Sequence, residues 1–446
     1  MVAAAKKLKT AMLLTMAIML LSGCLNVTAD ELYKLPMASD EYIRLEGHIN
    51  QVLTQGAEFS PPISGPNRQS VQLKDLSGDG TNEVITFFSV LGDSTLKIVI
   101  FEMVDGDYAV AEIIDGIGTD FESVRYVDMD GDGIMEIVVG WQMSAALKHM
   151  SIFSIRDFHS VEIAWADYSE MIVFDIDGDG NDDVIVFRLP TSESGAVAEM
   201  FKLMPDGEVI SLEARLSSGI DTITRVLTGR LIDGTPAIFV DSEGRFDGGG
   251  IVTDILVYRD GSFTNISIKG PGSISEETVR TRVFSADINQ TGIIKVPMPR
   301  RLMAQSETAY YAIDWYAYNS MGHSSLALTT YHNNFDEWFL ILPFDWRGRV
   351  SVRREDVVSG ERTVIFSYIA GEDGPYQDFL KVYRISGEMR MERASLDNRV
   401  MILADGAFAY AFELLAEPNS FGLTFDEALI RDNFRLIHSE WLVGMP

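Results

Sequence analysis

The chain has 446 residues, 46% of them hydrophobic, which is ample for a large core. Asp and Glu number 66 against 36 Lys and Arg, and the formal charge of −30 argues against a nucleic-acid role, because such a polyanion is repelled by phosphate backbones. The acidic residues recur in turns and not in long runs, which excludes a disordered acidic tail.

The N-terminus carries Lys6, Lys7 and Lys9, then an apolar segment at 11–21, then Leu21, Ser22, Gly23 and Cys24. The apolar segment rises only about 16 Å as a helix, too short for a bilayer core of about 30 Å. Charged, apolar and small residues in that order predict a secretory signal peptide over 1–23. The four residues ending in Cys24 resemble the bacterial lipoprotein cleavage box. That resemblance implies lipidation of Cys24 and an extracytoplasmic protein anchored to the bacterial cell membrane. Cys24 is the only cysteine, so no intramolecular disulfide can form. A tether and lead-in segment is expected over 24–66, with residues 41–53 spaced for either helix or strand. The Pro/Gly/Ser-rich stretch at 60–66 reads as a loop.

From residue 67 an acidic nonapeptide recurs: DLSGDGTNE at 75–83, DMDGDGIME at 128–136 and DIDGDGNDD at 175–183. Each copy runs into an apolar strand-like stretch, VITFF at 84–88, IVV at 137–139 and VIVF at 184–187. Hairpin turns at Asp105-Gly106 and Pro205-Asp206-Gly207 then separate further strands. About four short strands per period of about fifty residues predict an all-β chain with the content of propeller blades. A worn fourth copy lies at 227–236 and a fifth at 287–295. Residues 301–446 continue the strand pattern. They end in a capping box from Thr424 to Glu427 and helical spacing over 428–437. The expectation is a β-propeller of about six or seven four-stranded blades with a short C-terminal helical element.

Within each clear copy, positions 1, 3, 5 and 9 carry side-chain oxygens, and position 7 can offer its backbone carbonyl. These are hard oxygen ligands at alternate residues, as Ca²⁺ requires. The candidate sets are Asp75, Ser77, Asp79, Thr81 and Glu83; Asp128, Asp130, Asp132, Ile134 and Glu136; and Asp175, Asp177, Asp179, Asn181 and Asp183. Ser77 is a neutral ligand, so the first set is expected to bind most weakly. An EF-hand needs Glu at the twelfth position, where Thr86, Val139 and Val186 stand here. The turns resemble the FG-GAP/VCBS repeats of integrin-α-type β-propellers, over about 70–300. Together with the cleavage box, they resemble VCBS-repeat lipoproteins of bacteria. The resemblance implies one structural Ca²⁺ in each of the three clear copies. The fourth copy lacks the acidic set, and the fifth has Lys295 at position 9, where an ammonium can replace the metal.

No zinc-enzyme motif, nucleophile elbow or phosphate-binding glycine loop occurs. His323 and His332 lie near Trp315, Tyr331 and Trp338 in sequence, but a packed or surface role is the expectation. Asp314, Asp336, Glu337 and Asp345 offer carboxylates for glycoside chemistry, a weak signal in so acidic a chain. The aromatic run from Tyr310 to Trp346 is read as core. The functional expectation is a monomeric, non-enzymatic binding module for an unknown protein or polysaccharide. The alternatives are a carbohydrate-active enzyme at a central face and an envelope assembly or sporulation factor.

Overall fold

The computed structural model describes residues 40–437, apart from 55, 91–94, 246–249, 271–272, 276–277, 279, 281–282, 304–307, 357 and 372–373. The expected signal peptide and Cys24 lie outside the described residues.

The fifty-residue period of the sequence emerges as one antiparallel sheet after another. The first sheet holds Ala57–Phe59, Val71–Lys74, Glu83–Val90, Thr95–Val104 and Asp107–Asp115. The second holds Asp120–Val127, Glu136–Gln142, Lys148–Arg156 and His159–Tyr168. The third holds Glu170–Phe174, Asp183–Arg188, Val197–Leu203 and Val209–Arg215, and the fourth Ile220–Arg230, Pro236–Gly244, Ile251–Arg259 and Ser262–Asn265. The fifth contains Val296–Arg301, Tyr311–Tyr318, Ser324–Asn333, Trp338–Leu342 and Phe434–Leu436. The sixth contains Val350–Glu355, Glu361–Ile369, Tyr376–Ser386, Phe408–Leu414 and Val400–Asp405, in that spatial order. The first, fifth and sixth sheets therefore have five strands where four were expected.

The apolar stretches after each acidic turn explain how the sheets assemble. Successive strand residues face opposite sides, so an unbroken apolar run marks a strand buried on both faces. Ile85 and Phe87 pack toward the second sheet, whereas Val84 and Phe88 pack against Leu45 and Ile49 of the helix Asp40–Leu53. Ile137 and Val139 face the first sheet and Val138 the third. Val184 and Val186 face the second sheet, Ile185 and Phe187 the fourth. Ile238 and Val240 face the third sheet, Ala237 and Phe239 the fifth. A large aromatic cluster joins the fifth sheet to the sixth, with Trp338, Trp346, Phe366 and Phe379 among its members. Each sheet thus packs on the next in chain order. No sheet closes on itself, and no core cluster among the described residues joins the sixth sheet to the first.

The C-terminus departs from the expected helix over 428–437. The helix spans only Glu427–Asn433, and its N-cap is Asp426, whose carboxylate accepts the Leu429 N–H at 2.8 Å. Thr424 instead donates its N–H to Asp345. Phe434–Leu436 leaves the helix because Phe434 is worth more as a buried ring. It stacks on Trp338 at 5.4 Å and lies 5.5 Å from Tyr410, while the backbone pairs with Trp338–Leu342. Most of the aromatic run before it is core as expected, with Trp315, Tyr318, Tyr331, Trp338, Phe339 and Trp346 buried, but Tyr311, Phe335 and Phe344 are exposed. Truncating Phe434 to Ala should cost about 3–5 kcal/mol, measured as a fall in the urea unfolding midpoint with unchanged slope.

Candidate metal centres

Each acidic turn links one strand of its sheet to the apolar strand that follows: Val71–Lys74 to Glu83–Val90, Asp120–Val127 to Glu136–Gln142, and Glu170–Phe174 to Asp183–Arg188. The first residue of each turn organises it. Both oxygens of Asp75 accept backbone N–H groups, from Gly78 at 2.8 Å and Gly80 at 2.9 Å. Asp128 does the same with Gly131 and Gly133 (2.8 and 3.0 Å), and Asp175 with Gly178 and Gly180 (2.7 and 3.1 Å). The fifth position accepts the N–H of the seventh, so Asp79, Asp132 and Asp179 bond Thr81, Ile134 and Asn181. Asp130 and Asp177 accept the N–H two residues on, from Asp132 and Asp179. The ninth residue reaches back under the turn: Glu83, Glu136 and Asp183 accept the N–H of Leu76, Met129 and Ile176 at 2.7, 3.2 and 3.3 Å.

The turns also touch one another. A Cβ on Gly78, whose φ is +72°, would lie 2.5 Å from the Gly133 carbonyl oxygen, and one on Gly131 would lie 2.6 Å from Asn181 Oδ1. Met135 N–H donates to the Leu76 carbonyl at 2.9 Å. Glycine is therefore required at 78 by backbone contact as well as by positive φ, and at 131 by its φ of +76°. The three acidic turns form one continuous row.

Ligand oxygens converge in two of the copies. In the second, atoms of Asp128, Asp130 and Asp132 lie within 4.8 Å of one another. In the third, the convergent set is Asp175, Asp177 and Asp183. Glu136 and Asp179 stand outside those sets. Asp179 is turned to Lys202, and Glu136 accepts the Ser154 hydroxyl at 3.3 Å. The first copy has fewer carboxylates, but Ser77 Oγ is buried with no hydrogen-bond partner. A hydroxyl oxygen buried without a partner is costly, and a cation among Asp75, Ser77 and Asp79 would satisfy it.

Two cationic side chains that sequence reasoning missed meet these turns. Arg156 pairs with Asp130 at 3.1 Å and with Asp132. Lys202 bridges Asp177 and Asp179. Both come from the third strand of the same sheet, about 25 residues beyond the turn. Strand pairing alone brings them there, so the motif itself carries no signal of them. Burial would raise Asp132 and Asp179, but the bonds from Arg156 and Lys202 outweigh it and hold both carboxyls below the usual range.

The buried ninth residues go the other way. Burial, and then the charge of Asp130, pushes Glu136 up to about 7. Burial and the charge of Asp177 push Asp183 up to about 7. Glu83 is raised as well, by burial first and also by Asp79 and Asp75.

The two degenerate copies lack such crowding. Residues 231–235 form a short turn closed by the Leu231 N–H to the Thr235 carbonyl at 2.9 Å. In the fifth copy the Lys295 ammonium donates to Thr291 Oγ1 at 2.9 Å, to the Ile293 carbonyl at 2.8 Å and to Asp287 Oδ1 at 3.3 Å. It occupies the centre of the turn, as expected from its position.

The other sequence candidates are committed elsewhere. Asp314 accepts from Arg300 and Arg347, each at 2.9 Å, and Asp336 from Arg354 and Arg362 at 3.0 and 2.9 Å. Carboxylates clamped by two guanidinium groups make poor general acids. His332 is half-buried against Trp315 and Phe339, and burial of its ring pushes it down to about 4. His323 is exposed and apart from it.

No family model and no curated protein matches the chain. One solved structure, an exotype rhamnogalacturonan lyase, is similar at 10% identity with a TM-score of 0.26, over 80% of this chain and 72% of that one. A score that low carries no argument about fold or activity.

The raised carboxyls predict a pH dependence. Folded values near 7 against unfolded values of 4.5 for Glu136 and 3.8 for Asp183 mean that the folded state binds protons more tightly. Their contribution to stability is full below the unfolded values and is lost as pH rises through 7. In chelator-treated protein the urea midpoint should fall over that window, and the fall should shrink in Glu136→Gln and Asp183→Asn.

Proposed function

We propose that this protein is a calcium-stapled β-scaffold of propeller-like organisation, lipid-anchored at Cys24 outside the cytoplasm, whose role is binding. The observation that carries the reading is the convergence of Asp128, Asp130 and Asp132, and of Asp175, Asp177 and Asp183, within a continuous row of turns. Backbone N–H groups of the turns engage five carboxylate oxygens in each of these two copies, yet the carboxylates stay crowded and like-charged. A divalent cation relieves that repulsion and ties the strand before each turn to the strand after it.

The ligand residues fit a hard cation. In the second copy Asp128, Asp130, Asp132 and Glu136 would hold it, in the third Asp175, Asp177, Asp179 and Asp183, and in the first Asp75, Ser77, Asp79 and Glu83. The carbonyls of Ile134, Asn181 and Thr81 complete the sets. Arg156 and Lys202 must then swing out toward solvent, and Lys202 therefore competes with the ion. Affinity in the extracellular range, with Kd on the order of 10⁻⁴ to 10⁻³ M, suits a structural role. At tenfold excess over Kd each filled site adds about 1.4 kcal/mol. The repeat organisation and the cleavage box support placement among FG-GAP/VCBS-type lipoproteins, with a protein or polysaccharide as partner. The monomeric state is part of the same reading.

Melting curves test it. Calcium should raise the melting temperature of the chelator-treated protein, and Asp130→Asn with Asp177→Asn should abolish most of the rise. Lys202→Gln should tighten calcium binding several-fold by removing the competing ammonium. A melting temperature indifferent to calcium would leave the turns as turns only. Turnover of a cell-wall or plant polysaccharide by the purified chain would instead favour the enzyme reading.

A further inference from the structure

A second site lies away from the acidic turns, where the first strands of the second, third and fourth sheets come together. They wall a cavity of about 400 Å³, a size suited to a ligand of monosaccharide dimensions. The lead-in loop forms part of the wall through Ser64 and Gly65, tied to the second sheet by the Ser64 N–H to the Glu122 carbonyl at 2.8 Å.

Two features set this cavity apart from ordinary packing. The first is a pair of β-bulges. In the second sheet the pairing passes from Phe121↔Trp141 to Ser123↔Gly140, leaving Glu122 as the extra residue. In the fourth it passes from Ile223↔Ser242 to Arg225↔Asp241, leaving Thr224 as the extra residue. Both extra residues line the cavity. Bulges re-aim side chains and are over-represented beside functional sites.

The second feature is an excess of buried donors without acceptors. Arg125 Nε, Arg225 Nε and Nη1, and Thr224 Oγ1 are all buried and have no hydrogen-bond partner. The carboxylate nearest in register to Arg225, Asp241, is already held by Arg280 at 2.8 Å inside the core. Glu122 is engaged by Lys148 at 3.0 Å. The remaining wall carboxylate, Glu170, makes no hydrogen bond to either arginine among the described residues. Buried guanidinium N–H groups without acceptors are expensive unless a ligand completes them. Planar N–H forks match carboxylate and phosphate oxygens, often two at a time.

We infer that this cavity binds a small molecule bearing a carboxylate or phosphate group, held by Arg125 and Arg225 with Thr224 as an accessory donor. The assignment goes beyond the calcium reading, since no residue of the acidic turns lines the cavity. It gives the binding role a ligand class.

The test is calorimetric titration of the purified full chain with glucuronate, inorganic phosphate and glucose, in saturating calcium and again after chelation. One of the two anions should bind and glucose, the neutral match to glucuronate, should not. Preference between the anions identifies carboxylate or phosphate as the natural group. Arg225→Met should weaken the anion about tenfold or more. It should also raise the ligand-free melting temperature, because it removes a half-buried guanidinium whose Nε and Nη1 make no hydrogen bond; a purely structural arginine would lower it. If Arg225→Met does not fold, Arg125→Met and Thr224→Val carry the same comparison. Glucose binding as well as glucuronate, neither anion binding at about 10 mM, or unchanged affinity in the arginine variants would overturn the assignment. Anion binding that persists after chelation, whatever calcium does to stability, keeps the two readings separate.

Discussion

Crowding of like charge is the constraint on which the rest depends. Two carboxylates about 4 Å apart near a protein surface repel by about 4 kcal/mol at an effective dielectric of about 20. The chain places three or more such groups in each of two adjoining turns and still folds them tightly. Chemistry allows three remedies. A carboxyl can stay protonated, as the raised values of Glu136 and Asp183 favour. A cationic side chain can enter, as Arg156, Lys202 and Lys295 do. A metal ion can bind and displace both. The fifth copy has made the second remedy permanent, because Lys295 is buried with three oxygen partners. Arg156 and Lys202 lie nearer the surface than Lys295 does.

Relieving that repulsion matters because the turns stand at the head of the strands that build the core. VITFF, IVV, VIVF and AIFV are each buried on both faces, so they belong to two interfaces at once. A turn that opened would free the strand before it from the doubly buried strand after it and so loosen packing on both faces of that strand. Gly78 lies close against the Gly133 carbonyl and Gly131 against Asn181, so the three turns are packed in one row. Ions bound there, as proposed, would stabilise several sheets through a few short loops.

Much of this was legible in the sequence, and the limits have physical causes. Local chemistry was readable: acidic positions 1, 3, 5 and 9, glycine at positive φ, and apolar runs that became doubly buried strands. Lys295 could be placed as an ammonium in its turn because its neighbours in sequence are its neighbours in space. Arg156 and Lys202 could not, since strand pairing brings them back across a sheet. The same holds for Arg125 and Arg225, whose cavity depends on three separate strands and two bulges that no periodicity reveals. Helical spacing at 428–437 misled because Phe434 gains more by stacking on Trp338 than by extending a helix. How the stack begins and ends also rests on distant contacts. The helix Asp40–Leu53 covers one face of the first sheet, and Phe434–Leu436 adds an edge to the fifth rather than the sixth.

The most direct measurement is equilibrium dialysis of the chelator-treated chain against labelled calcium, with bound ion counted per chain. The account predicts one ion for each of the turns at 75–83, 128–136 and 175–183, with none lost in Lys295→Ala and one lost in Asp130→Asn. Calcium bound at no more than the background of an acidic surface, and unchanged by Asp130→Asn, would contradict it.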